Sequence, residues 1–244
     1  MEPSSAVPAQ RCLQAAIAVA QTFCRARFPA HTVALLGGSW ACGCARPGSD
    51  LDLLVIDPTV PGLRFEGVEF EGWLVEVCAL PPERLEGFFR ACADHRSAPV
   101  PQQAVESVVL RGDAQAVLAI RQLAGQVLRA GPAPLTQAEA QDLRWNLTAL
   151  LTDLEHAAPD DLAGVAAQCY ARLAEAILAS ARAWRAERRR LPQALRQAAP
   201  DLAQRLETGL LAACQGDRTL LVGVGQEILQ RIGGPQRLYA EEYP

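Results

Sequence analysis

The pattern of apolar and polar positions divides the chain into two halves. Up to about residue 113, short apolar runs alternate with turns rich in Gly and Pro, which predicts strands with a few helices. Beyond that point, Ala, Leu, Gln and Arg recur at helical spacing. We predict helices there near 114–129, 137–157, 160–187, 199–214 and 217–232. The pattern therefore indicates an α+β domain over residues 1–115 and an all-helical domain over residues 116–244.

The N-terminal half carries a predictable series of elements. The run Glu71-Gly72 is typical of a hairpin turn between two strands. Helices are predicted at 9–28 and 82–93, and strands at Val33–Leu36, 50–56, Arg64–Phe70, Trp73–Leu80 and 105–110.

One of these strands carries two carboxylates. Residues two apart in a strand share a face, so Asp50 and Asp52 point one way while Leu51, Leu53 and Val55 point the other way into a core. Two crowded carboxylates repel each other unless a cation lies between them or water reaches them. Mg²⁺ prefers hard oxygen ligands of this kind, so the pair predicts a Mg²⁺ site.

A third acid stands in a later apolar strand. Glu76 lies in the middle of Trp73–Leu80, where an unpartnered charge is costly. If this strand pairs with the one that carries Asp50 and Asp52, Glu76 completes a cluster of three carboxylates. It would serve there as a metal ligand or as the base for an attacking hydroxyl.

The run Gly37-Gly38-Ser39 follows a strand and precedes a predicted helix. Glycines let a backbone approach phosphate oxygens closely, and the first N–H groups of a helix are available as donors. Ser39 adds a hydroxyl. These residues predict a phosphate-binding turn.

Each of these features also has a plain structural interpretation. Asp50 and Asp52 could be exposed positions on an edge strand, and Glu76 could be a surface carboxylate at a strand end. Ser39 and Ser49 could serve only as turn formers. The spacing favours the functional interpretation for Asp50, Asp52, Glu76 and Ser39, and leaves both interpretations of Ser49 open.

Composition narrows the function classes. The chain has 244 residues and a net charge of -4, which disfavours a general nucleic-acid binder. All 23 basic residues are arginine, so a lysine-containing Walker phosphate loop is excluded. Eight dispersed cysteines predict reduced thiols, and Cys42-Gly43-Cys44 lacks the second pair that a zinc site needs. With no signal peptide and no long apolar span, we expect a soluble, cytoplasmic protein without a membrane partner.

Gly38-Ser39, the eleven-residue step from Ser39 to Asp50, and Asp50-Leu51-Asp52 together resemble the signature of the DNA polymerase β-like nucleotidyltransferase superfamily. Within it, the sequence is similar to small bacterial nucleotidyltransferases and aminoglycoside adenylyltransferases. The resemblance covers residues 10–115 and implies a mixed-sheet catalytic domain, followed by a helical bundle as the substrate-binding or accessory domain. Further shared features are the leading helix, Gly43, Ser49 and the Val-Glu-Val run at 75–77.

The resemblance also implies roles. Gly38 and Ser39, with Ser49 as a weaker candidate, would hold the phosphates of ATP or another nucleoside triphosphate. Asp50, Asp52 and the third carboxylate, Glu76, would be the catalytic and Mg²⁺-binding residues. A nucleotidyl group, AMP if the donor is ATP, would move to a hydroxyl of an acceptor.

One position departs from the family. Cys42 stands where relatives often carry an arginine, so a phosphate contact would have to come from elsewhere, with Arg46 as the nearest candidate. Five arginines at 182–190 are interpreted as the solvated face and end of a long helix, with phosphate or nucleic-acid contact as the alternative.

The acceptor and the partners stay open. An aminoglycoside-like small molecule, a protein hydroxyl and an RNA end are all compatible, and the acidic balance favours a cationic small molecule. A homodimer is compatible with the sequence. The alternative function is a non-catalytic nucleotide-sensing or partner-binding module, including a toxin–antitoxin component.

Overall fold

A computed structural model describes residues 12–237 and divides them into two compact units. The first unit comprises the described residues up to Asp94 together with Ala98–Ala130. The second comprises His95–Ser97 and the described residues from Gly131 onward. Residues 9–11 of the first predicted helix, and residues 238–244, lie outside the described range.

The first unit is built from five strands and five α-helices, counted over the residues that the structure describes. The strands are β1 (Val33–Leu36), β2 (Leu51–Ile56), β3 (Arg64–Phe70), β4 (Trp73–Leu80) and β5 (Val108–Arg111). The helices are α1 (Leu13–Arg27), α2 (Gly38–Ala41), α3 (Leu85–Asp94), α4 (Pro99–Glu106) and α5 (Ala114–Ala130), with a 3₁₀ turn at Pro82–Arg84.

The strands form one mixed sheet in the order β3-β4-β2-β1-β5. Strands β2 and β4 run parallel, and every other neighbouring pair is antiparallel. The α+β class with a mixed sheet, predicted from the sequence, is confirmed. The parallel β2–β4 pair is the feature that positions the site, because it sets the starts of two strands side by side.

Both faces of the central strand β2 are covered. Leu51, Leu53 and Val55 pack in a core beneath α1, as the alternation predicts. Leu54 and Ile56 point the opposite way, into a second core with α3, α4 and α5. Strand β2 is therefore buried on both sides except at its start, where Asp50 and Asp52 precede Leu54 on the same face.

The second core explains where the first unit ends. The sequence placed the boundary at 115/116, whereas the structure includes α5 in the first unit. Val117, Ile120 and Ala124 recur on one face of α5 and are buried in the core shared with β1, β2 and β4. Burial of this face against the sheet holds the helix in the first unit.

The second unit is all-helical over its described residues. Its helices are α6 (Gln137–His156), α7 (Leu162–Ser180), α8 (Leu191–Ala198), α9 (Pro200–Ala213) and α10 (Thr219–Arg231), with a 3₁₀ turn at Arg188–Arg190. They surround one core whose fully buried side chains include Leu147, Leu154, Leu173, Leu195 and Leu206.

The start of α6 is tied down by a polar network. Thr136 and Glu139 form a capping box in which each side chain accepts a hydrogen bond from the other residue's backbone N–H. Arg96 donates to both carboxylate oxygens of Glu139, at 2.6 and 3.2 Å. The hydrogen bonds from Arg96 and then from Thr136 lower the pKa of Glu139 to about 2.

Among the described residues, helix α7 is long enough and apolar enough to cross a membrane, judged by length and composition alone. Its side chains Cys169, Leu173 and Ile177 are buried in the core of the helical unit. Packing within this unit accounts for the apolar character of the helix.

The prediction of one helix over 160–187 is wrong in its C-terminal part. Helix α7 ends at Ser180 because Arg182 adopts a left-handed backbone with φ of +51°, and Ala183 N–H then donates to Leu178 O. Glycine usually takes this conformation, so an arginine gave no stop signal. The arginines at 182–190 therefore lie beyond the end of a helix rather than along its face, and Arg185 lies 3.7 Å from Glu175.

Helices α4 and α8 were missed for a common reason. Each has a proline in its first turn, Pro99 in α4 and Pro192 in α8, and proline is favourable at that position because no intrahelical N–H is needed. Proline interrupts a helix at most other positions, so neither proline indicated a helix start in the sequence. The strand predicted at 105–110 is accordingly displaced, since α4 runs to Glu106 and β5 spans Val108–Arg111.

The cysteines also differ in part from expectation. Cys42 and Cys44 are joined by a disulfide, because the turn at Gly43, with φ of +69°, brings their Cα atoms to 5.5 Å. The other six cysteines are free. Burial raises the pKa of Cys24 and of Cys78 to about 12, so these two thiols stay protonated at neutral pH.

Candidate active site

The parallel pairing of β2 with β4 places two of the predicted acids side by side. Asp52 and Glu76 are register partners in this ladder. Neighbouring strands lie about 4.8 Å apart, and partners in register point to the same face. Leu54 and Cys78, the next residues on that face, are buried. Asp52 and Glu76 therefore lie at the edge of the buried part of this sheet face.

Asp50 completes the group from the residue before β2. One ligand atom from each of Asp50, Asp52 and Glu76 can be chosen so that all lie within 4.8 Å of one another. Asp50 and Asp52 are partly buried and Glu76 is exposed. The structure thus brings together the three carboxylates that the sequence singled out, and leaves them reachable from solvent.

The spacing of the carboxylates fits a divalent cation. Oxygen ligands on opposite sides of Mg²⁺ are about 4.2 Å apart, and on opposite sides of Ca²⁺ about 5 Å apart. A cluster whose ligand atoms lie within 4.8 Å can close on either ion by small side-chain rotations. Carboxylate oxygens are also the ligand type that both ions prefer.

Gly38 lies against the second of these acids. Its φ is +61°, a conformation that side-chain-bearing residues rarely adopt. A Cβ atom at this position would overlap Asp52 Oδ2. Glycine is therefore required twice here, by backbone conformation and by the close approach of the Asp52 carboxylate. The predicted phosphate-binding turn is therefore in direct contact with the acidic cluster.

The backbone at Asp52 is held by two donors. Its carbonyl oxygen accepts from Gly37 N–H at 2.8 Å and from Gln103 Nε2 at 2.8 Å. Gln103 belongs to α4, the helix that sequence reasoning missed, and no sequence signal marked this glutamine. Only the tertiary fold brings it to the strand end.

Ser39 follows in the short helix α2. Its Oγ is buried and has no hydrogen-bond partner among the described residues. A buried hydroxyl without a partner costs free energy, so a ligand oxygen at this point would be stabilising. The geometry fits the predicted phosphate contact, which stays a prediction for both Gly38 and Ser39.

Ser49 is engaged in a local turn. Its hydroxyl oxygen accepts from Arg46 N–H at 2.9 Å, and its own N–H donates to Arg46 O at 2.9 Å. Ser49 is only 6% exposed. These bonds form the turn that delivers Asp50 to the strand. A phosphate contact by Ser49 stays a prediction beside this structural role.

Cys42, which stands where relatives often carry an arginine, lies in the loop after α2. Cys42 is exposed directly after α2 and is joined to Cys44. Arg46 is exposed in the same loop. The structure therefore leaves this guanidinium in solvent next to the turn that Ser49 closes, and its role as the substitute for an arginine at position 42 stays a prediction.

Comparison with family models finds no match for this chain, and comparison with curated proteins finds none either. Among solved structures, the chain is similar to a nucleotidyltransferase-like protein from Exiguobacterium sibiricum 255-15. The identity is 16%, the match covers 88% of this chain and 74% of that one, and the TM-score is 0.38. A likeness at this TM-score does not indicate what this chain does.

Proposed function

We propose that this protein is a nucleotidyltransferase that depends on a divalent cation and transfers a nucleotidyl group to a hydroxyl. The observation that carries the proposal is the group of three carboxylates within 4.8 Å, set against the turn of Gly38 and Ser39. Clustered acids repel each other and are expensive to hold together without a cation. A glycine turn beside such a cluster suits a ligand that carries both phosphates and a metal ion.

The site residues have separate roles in this proposal. Asp50 and Asp52 would hold Mg²⁺, with Glu76 as a third ligand or as the base. The backbone at Gly38 and the hydroxyl of Ser39 donate to phosphate oxygens, with Ser49 in a weaker supporting role. When bound, Mg²⁺ neutralises phosphate charge and so makes the phosphorus easier to attack.

The proposed reaction is a single displacement. The acceptor hydroxyl oxygen forms a bond to the α-phosphorus of a nucleoside triphosphate, for which we propose ATP. The bond between the α-phosphorus and its bridging oxygen breaks, and pyrophosphate leaves. The hydroxyl proton passes to a base, for which the exposed Glu76 carboxylate is the candidate.

We place the acceptor beside Glu76, over Gly67 of β3. Gly67 is the register partner of Glu76, and a Cβ atom there would meet no atom within 4 Å. Neither a positive φ nor a close neighbour requires glycine at this position. Glycine weakens a strand interior and often marks the close approach of a ligand. With a net charge of -4, the protein favours a cationic small molecule over a protein hydroxyl or an RNA end.

The free thiols favour a cytoplasmic location. Six of the eight cysteines are free, which suits a reducing compartment. A soluble cytoplasmic enzyme is part of this proposal, and a homodimer stays compatible with it.

The test is a calorimetric titration of ATP with Mg²⁺. We expect Mg²⁺-dependent binding to the wild type and at least 100-fold weaker binding to Asp50→Asn/Asp52→Asn. The control Asp160→Asn/Asp201→Asn removes the same charge from exposed positions in the helical unit and should bind like the wild type. Equal binding by both double variants would sink the proposal.

The non-catalytic alternative is separated by turnover. The three carboxylates would hold a cation in either case, so binding of MgATP alone does not separate an enzyme from a nucleotide-sensing module. Pyrophosphate release should appear with some member of an acceptor panel that includes aminoglycosides, serine or tyrosine peptides and RNA. Tight MgATP binding with no release from any acceptor would favour the nucleotide-sensing module.

A further inference from the structure

Helix α4 reaches the site through one side chain. Gln103 Nε2 donates to the backbone carbonyl of Asp52 at 2.8 Å, and Gly37 N–H donates to the same oxygen at 2.8 Å. One carbonyl oxygen thereby connects three elements: the start of β2, the loop after β1, and α4.

The aliphatic part of Gln103 makes a second contact. A Cβ atom at Gly37 would overlap Gln103 Cγ, so the glutamine side chain lies flat against the Gly37 backbone. Gly38 follows immediately and lies against the Asp52 carboxylate. Gln103, Gly37, Gly38 and Asp52 therefore form a closed ring of contacts.

We propose that Gln103 is a positioning residue for the acidic cluster and the phosphate-binding turn. It touches neither metal nor substrate in this role. It fixes the Asp52 backbone, and thus the direction of the Asp52 carboxylate, while it holds Gly37 in place. The inference rests on the proposed function, because a positioned carboxylate matters only where a cation binds.

Partners that orient a metal ligand are worth a measurable amount. Loss of such a partner commonly lowers metal affinity or activity about 10–100-fold, even though the ligands themselves are intact. Gln103→Met keeps the length and apolar stem of the side chain and removes the amide donor. We expect Mn²⁺ affinity to fall within that range while the fold is retained.

The experiment uses Mn²⁺ alone as the probe. Mn²⁺ binding to the full chain is followed by electron paramagnetic resonance, and exchange of the Gly37 amide hydrogen is followed by NMR. Gln103→Met should weaken Mn²⁺ binding at least tenfold and speed exchange at Gly37. Gln115→Met, at an exposed position of α5, is the matched control and should change neither quantity.

Each outcome decides one question. If Asp52→Asn abolishes Mn²⁺ binding but Gln103→Met leaves affinity unchanged, the positioning role is wrong and the proposed function stands. If the wild type binds no Mn²⁺, the proposed function falls, and the positioning role falls with it. If Gln103→Met does not fold, Gln103→Asn is tested instead, because it keeps the amide group but shortens the side chain by one methylene. Wild-type affinity for Mn²⁺ in Gln103→Asn would overturn the inference.

Discussion

Replacing Gly38 by alanine perturbs the proposed site through a single methyl group. The substitution imposes a left-handed backbone on a residue with a side chain, which costs about 1–2 kcal/mol. It also drives the new Cβ into Asp52 Oδ2, so the carboxylate or the turn must move. Overpacking of this kind costs about a further 1–3 kcal/mol.

Gly72→Ala is a control that separates these two effects. Gly72, in the β3–β4 turn, has φ of +73°, close to the +61° of Gly38, and no atom lies within 4 Å of the position of its Cβ. It should therefore lose about 1–2 kcal/mol from backbone strain alone. Gly38→Ala should lose more stability than Gly72→Ala, and it alone should weaken Mn²⁺ binding, by at least tenfold.

Stability is measured by urea unfolding and Mn²⁺ affinity by electron paramagnetic resonance. The decisive quantity is the difference between the two alanine variants rather than either value by itself. Equal losses of stability, together with wild-type Mn²⁺ affinity in Gly38→Ala, would show that the carboxylate does not depend on the turn. The link between the phosphate-binding turn and the acidic cluster would then be refuted.

Two further predictions concern the strand beside Glu76 and the start of α6. Gly67→Val should keep or slightly raise the free energy of unfolding, because valine suits a strand and its Cβ would meet no atom within 4 Å. The same substitution should raise the KM for the acceptor at least tenfold in a pyrophosphate-release assay. An unchanged KM would move the acceptor away from Gly67. Glu139→Gln should cost about 1 kcal/mol at pH 7 in thermal unfolding, since a partly exposed capping and ion-pairing carboxylate is worth about that much. The folded-state pKa of Glu139 is lowered to about 2, so this stabilisation is present above the pKa of the unfolded chain and is lost as pH falls toward 2. A difference between wild type and variant that persists undiminished at pH 2 would contradict the assignment.

The sequence alone determined the elements with strong local signals. Strands Val33–Leu36, Arg64–Phe70 and Trp73–Leu80 follow from apolar runs or alternation bounded by turn residues, and the structure has them with those bounds. The residue types at Asp50, Asp52 and Glu76 likewise pointed to one cluster, because two of them share a strand face and the third interrupts an apolar strand. Period and chemistry are properties of short segments, and a sequence displays them directly.

Other features depended on contacts between distant segments. Proline and arginine gave no reliable local signal in α4, α8 and at the end of α7, because proline can begin a helix and Arg182 takes a backbone conformation that glycine usually takes. Likewise, the inclusion of α5 in the first unit follows from burial against a sheet whose strands lie far from it in sequence.

The site shows the same division. The sequence supplied its acids and its glycine turn, but only the tertiary structure decided that β2 and β4 pair in parallel with Asp52 beside Glu76. It also decided that Gly38 lies against Asp52 and that Gln103 of α4 reaches the Asp52 carbonyl. The pairing of β2 with β4 depends on how distant segments pack on both faces of the sheet. Gln103 and Asp52 are 51 residues apart in sequence, so no local pattern encodes their contact.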